Sequence, residues 1–83
     1  MDLAEVIGKR IAAARTRQGW NQTELAKRLG KPRQHLSVIE QGKQQPRGEL
    51  LVQLAETLGV STDYLLGRKD DPSESTPTVP DAA

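Results

Sequence analysis

An all-α domain of five helices is what this sequence predicts, on three observations. Apolar residues recur three and four apart in four separate stretches, the period of a helix with one buried face, and a serine cap opens a short fifth. A glycine follows each stretch, at positions 19, 30, 42, 59 and 67. No stretch is a β-strand candidate, and there is no internal repeat.

The first helix is expected from about Leu3 to Gln18, with Ile7, Ile11 and Ala14 on one face and Gly19 as its stop. The second covers about Gln22 to Leu29. Asn21 can cap it, and Glu24, three residues on, can close a capping box onto the Asn21 backbone. Leu25, Ala26 and Leu29 form its inward stripe, and Gly30 stands where a left-handed cap disfavours a Cβ. The third helix runs from about Arg33 to Gln41, with Leu36 and Ile39 inward and Gly42 behind it. A polar loop carrying Pro46 leads to the fourth, Gly48 to Leu58, where Leu51, Leu54, Ala55 and Leu58 are expected inward. Ser61 then caps a short fifth helix, Thr62 to Leu66.

From Arg68 the composition changes. The remainder holds three prolines and one large apolar residue, Val79, too little apolar surface to offset the entropy of ordering. The expected organisation is one domain over residues 1–67 and a flexible acidic tail over 68–83.

At 83 residues there is room for one modest core. A hydrophobic fraction of 35% and a mean hydropathy of −0.63 suit a small soluble fold. No apolar run approaches the length of a transmembrane helix, so no membrane partner is expected. Asp2 and Glu5 sit where a signal peptide would carry positive charge, and the absence of cysteine fits the cytoplasm.

The net charge of +1 conceals a segregation. Between Lys9 and Arg47 ten basic residues face only Glu24 and Glu40, a net of +8, whereas Asp70, Asp71, Glu74 and Asp81 leave the end of the chain at −4. Any single basic residue could be a solvated surface charge. As a group, clustered around two short helices joined by a tight turn, they point to a polyanion. Residues 21–42, with Ala26 small where the two helices must approach, carry the signature of a helix-turn-helix, and hence of DNA binding.

Four segments extend this signature: IGKRIAAAR, NQTELAKRLG, LSVIEQGKQQP and LLVQLAETLGVSTDYLLG. Over residues 7–67 they resemble the phage-repressor and Cro-type helix-turn-helix proteins, the XRE family. The resemblance implies a compact lambda-repressor-like domain that binds operator DNA as a homodimer. It implies that Gln22 braces a phosphate and the neighbouring side chain of the reading helix. Arg33, Gln34 and Val38 match that helix's outward positions, with His35 beside them. Arg15 and Glu40 resemble a pair that ties the first helix to the end of the third, and Arg47 matches a basic loop position near the DNA backbone. Lys31 and Pro32 depart from the family, which usually has an apolar residue and then Ser or Thr there. The hydroxyl cap is therefore missing, with Pro32 expected as a preset first turn.

The residue chemistry fits such a role. A helix fits the major groove, where base pairs differ in their donor and acceptor patterns. The planar fork of Arg33 can make two bonds to guanine, Gln34 can do the same with adenine, and Val38 offers an apolar contact to a thymine methyl. His35, the only histidine, has no partner for a metal site or for catalysis, which leaves a phosphate or base contact. Ser37 can bond back to its own helix or to a phosphate. Phosphate contacts are expected from Gln22, Thr23, Lys27, Ser37, Lys43 and Arg47. Trp20 and Tyr64, the only aromatics, are isolated and suit core packing better than base stacking.

The fourth helix has more apolar residues than one stripe needs. Leu50 and Val52 are left over, and with Val60, Leu65 and Leu66 they suggest an exposed patch. Leu50, Val60, Leu65 and Leu66 are accordingly expected at a twofold interface. An enzyme is not expected, since a Gly-rich phosphate loop and usefully spaced carboxylates are both missing, and no cofactor is called for. The competing reading is an antitoxin or other partner-binding regulator, for which the tail lacks apolar anchors.

Overall fold

A computed structural model of the chain describes residues 2–70. Its helices are α1 (Leu3–Arg17), α2 (Gln22–Leu29), α3 (Arg33–Glu40), α4 (Gly48–Leu58) and α5 (Thr62–Leu65), and all regular structure among the described residues is helical. Three expected ends, Gln18, Gln41 and Leu66, fall one residue later, on cap residues that still hold right-handed helical angles.

Local chemistry sets the motif. The Asn21 side chain accepts from the Glu24 backbone N–H at 2.8 Å, and Glu24 accepts from the Asn21 N–H at 3.0 Å, which satisfies donors that the first turn of α2 would otherwise leave open. At its far end Gly30 turns left-handed at φ +69°, and the Lys31 N–H closes onto the Ala26 carbonyl at 3.0 Å. The chain then needs only Pro32 before α3 begins. Pro32 does not open the helix as a first-turn residue, contrary to expectation. It is extended at ψ 145°, stands outside α3 as its N-cap, and its carbonyl accepts from the His35 N–H at 3.1 Å.

Ile7, Ile11, Leu25, Leu36, Ile39, Leu54, Leu58 and Leu65 lie at the centre of the core. Around them pack Ala14, Ala26, Leu29, Leu50, Ala55, Val60 and Tyr64. α3 is held chiefly between α1 and α2. Close approach to α1 occurs at Gly8, where a Cβ would come within 2.5 Å of the Ile39 carbonyl oxygen and 2.7 Å of that of Glu40. The last turn of α3 thus rests directly on the α1 backbone.

The expected interface patch is corrected by these contacts. Leu50, Val60 and Leu65 are buried in the protomer's own core, with Leu65 fully enclosed, and Leu66 is half-buried against it. In α4 the buried residues are Leu50, Leu54, Ala55 and Leu58, while Leu51, expected inward, is half-buried against the core. Three successive apolar residues leave open which of them turns fully inward, and packing against α1, α2 and α5 selects Leu50. Val52 stays outside at 47% exposure.

Just past residue 67, Arg10 donates to the Lys69 carbonyl at 3.0 Å, meets the Asp70 carboxylate at 3.0 Å and lies 4.5 Å over the Tyr64 ring, so residues 69 and 70 touch α1. The rest of the expected tail, 71–83, lies outside the described residues.

Candidate nucleic-acid interface

Arg33 and Gln34 form the first turn of α3, and both are exposed. No side chain caps that turn. His35, Ser37 and Val38 follow on α3 as half-buried residues, while Leu36 and Ile39 point into the core. Burial of one stripe therefore presents the other, and the residues expected to meet DNA lie on the presented part of the helix.

A polar chain supports this face from below. The Glu40 side chain, 6% exposed, accepts from Arg15 Nε at 2.8 Å and from Arg15 Nη2 at 3.0 Å, a planar two-point pair. Arg15 Nη1 also donates to the Trp20 carbonyl at 2.9 Å, so one guanidinium joins α1, the α1–α2 turn and α3. The Glu40 hydrogen bond raises the Arg15 pKa, burial opposes it, and the attraction of the two charges adds to the rise. Arg15 thus stays charged throughout the neutral range. Gln22 Nε2 donates to Glu40 Oε1 at 3.0 Å, and Gln22 Oε1 accepts from Arg33 Nη1 at 3.2 Å.

The other expected phosphate-contacting residues are distributed around this face. Thr23, Lys27, Lys43 and Arg47 are exposed, and Gln22 is half-buried. Arg47 is the N-cap of α4 and makes no side-chain capping bond there. Together with Lys31, His35, Gln44 and Gln53 it lines an open groove of about 500 Å³ between the α2–α3 turn and the start of α4. Sequence reasoning assigned no contact to Lys31, Gln44 or Gln53; the basic cluster was the signal available for Lys31, and nothing local marks the two glutamines. Ser37 Oγ accepts from Gln41 Nε2 at 3.0 Å, which leaves its hydroxyl hydrogen for another acceptor.

Not every basic residue of the cluster is available. Arg10 and Arg15 are engaged as described, and Arg28 lies 4.1 Å over the Trp20 ring. Trp20 is half-buried against the core, and Tyr64 is buried within it. The exposed cations that remain are Lys9, Arg17, Lys27, Lys31, Arg33, Lys43 and Arg47. No helix among the described residues is long and apolar enough to cross a membrane.

A family model described as helix-turn-helix matches residues 11–65. The HTH-type transcriptional regulator ImmR of Bacillus subtilis is 39% identical over 72 residues, covering 87% of this chain and 56% of ImmR. The chain thus spans little more than half the length of that relative. A shorter relative, the uncharacterized HTH-type transcriptional regulator y4dJ of Sinorhizobium fredii, is 35% identical over 71 residues, covering 86% of this chain and 92% of y4dJ. Among solved structures, the P22 c2 repressor in complex with a synthetic operator superposes with a TM-score of 0.71 at 35% identity, over 76% of this chain and 96% of that one. The restriction-modification controller protein C.AhdI of Aeromonas hydrophila gives a TM-score of 0.70 at 26% identity, over 75% of this chain and 94% of its own.

Proposed function

This chain belongs to the helix-turn-helix family of XRE type, and from that premise we propose that it is a sequence-specific transcriptional regulator of double-stranded DNA, a repressor or autoregulatory controller. The observation that carries the reading is the exposed first turn of α3, with Arg33 and Gln34 side by side and cations on the elements around it. α3 enters the major groove by this end. Arg33 and Gln34 read base edges, with His35 and Val38 alongside, and Gln22, Thr23, Lys27, Ser37, Lys43 and Arg47 hold phosphates.

The regulator acts as a homodimer. Its interface draws on the exposed Val52 of α4 and on the accessible parts of Leu51 and Leu66, which are half-buried against the core. Twofold symmetry then places two half-sites about 34 Å apart along the duplex.

Selection of bound sequences from a random duplex pool, repeated with Arg33→Ala and Gln34→Ala, tests the assignment. Each substitution should abolish preference at one or two base positions, about 1–3 kcal/mol apiece. Uniform weakening with preference intact would make both residues phosphate contacts and defeat the base-reading assignment. Failure of the unaltered protein to select any sequence would defeat the function itself.

A further inference from the structure

The hydrogen-bonded chain from α1 to the outward side of α3 has a direction. The Glu40 side chain is nearly enclosed, and its carboxylate, paired with Arg15, can only accept hydrogen bonds. The Gln22 amide must therefore turn its nitrogen to Glu40, as it does at 3.0 Å. A rotated amide would set oxygen against oxygen. With the nitrogen so placed, Gln22 Oε1 faces away from Glu40, and only a donor can meet it. Arg33 carries donors alone, and its Nη1 takes that position at 3.2 Å. One of about five guanidinium N–H groups is used, which leaves the others for a base. A fork held at one corner loses less freedom when it binds than one that turns freely.

We propose that Glu40 is a positioning residue for Arg33: by fixing the Gln22 amide it orients the guanidinium, and so sets the base preference at the position Arg33 meets. The proposal rests on the reading of α3 as the DNA-contacting helix. It gives the Arg15–Glu40 pair a second role, because the charge that ties α1 to α3 also dictates which atom Gln22 shows to the reading side chain.

The readout is a ratio: affinity for the preferred duplex over affinity for the same duplex changed at the base pair assigned to Arg33. Glu40→Gln should lower this ratio on the order of fivefold, the size of coupling expected within one hydrogen-bond network. In an Arg33→Ala background the same substitution should leave the ratio where Arg33→Ala puts it. Gln22→Leu breaks the link itself while sparing the Arg15–Glu40 pair, and it should lower the ratio similarly. If Glu40→Gln does not fold, the double variant Arg15→Met with Glu40→Leu decides the matter, since it also removes the acceptor that fixes Gln22 without leaving a buried charge. A ratio that stays put when Glu40 is replaced, or that falls equally with and without Arg33, overturns the positioning role. A wild-type chain that distinguishes no duplexes overturns the reading beneath it, which is a separate result.

Discussion

Gly8→Ala is the substitution whose effect the structure specifies most sharply. Gly8 lies inside α1, and in an isolated helix alanine would gain about 0.5–1 kcal/mol over glycine. Here the new methyl would stand 2.5 Å from the Ile39 carbonyl oxygen and 2.7 Å from that of Glu40. Both are backbone atoms at the end of a packed helix, so neither can swing aside as a flexible side chain would. α1 and α3 must separate, which loosens Ile7, Ile11, Leu36 and Ile39, all at the centre of the core. Overpacking of this kind costs about 1–3 kcal/mol or somewhat more. After the propensity gain the net loss should be about 1–2 kcal/mol, a fall in Tm of roughly 5–15 °C for a domain of this size. Urea and thermal unfolding followed by Trp20 fluorescence and circular dichroism read it directly. Gly48→Ala is the control, since nothing lies within 4 Å of its Cβ position. It should be neutral or gain up to about 1 kcal/mol. Equal or higher stability for Gly8→Ala would refute the close α1–α3 approach, and with it the geometry that presents α3.

Arg15→Ala should destabilise the fold by about 3 kcal/mol in urea unfolding, because it leaves the enclosed Glu40 carboxylate unpaired. Combining Arg15→Met with Glu40→Leu should recover most of that loss, since both charges are then gone. Arg10→Ala should release residues 69 and 70 and speed tryptic cleavage after Arg68 and Lys69 in the native protein, as read by mass spectrometry, with Tm little changed. If each subunit neutralises about four phosphates, the logarithm of affinity for DNA should fall with the logarithm of salt at a slope near −7 for a dimer; a flat response would exclude phosphate-driven binding.

Much of the architecture was legible because its determinants are local. The Asn21–Glu24 box, the Gly30 turn and the stripes of α1, α2 and α3 are each written within a few residues, and they place the motif. What was not legible depends on elements meeting. Gly8 reads in sequence only as a weak helix residue, and its purpose appears once the α3 carbonyls lie against it. Leu50, Leu51 and Val52 leave open which of them turns fully inward, so the choice of Leu50 and the loss of the expected apolar patch follow from neighbours distant in sequence. Charge counting treated ten basic residues alike, whereas Arg10 and Arg15 are held in ion pairs, and Arg10 and Arg28 lie over the two aromatic rings, Arg28 while still exposed. At the candidate interface, residue types and the family pattern marked the face. The hydrogen bond from Gln22 to Glu40 came from the fold alone.

If α3 is the reading helix, its outward side meets DNA and the outward side of α4 does not. Amide chemical-shift mapping during titration with a selected duplex distinguishes the two. The largest changes should fall at residues 33–38 and at Gln22 and Thr23, with Glu56 on the exposed side of α4 unmoved. Changes concentrated in α4 and α5, with α3 silent, would rule out α3 as the DNA-contacting helix.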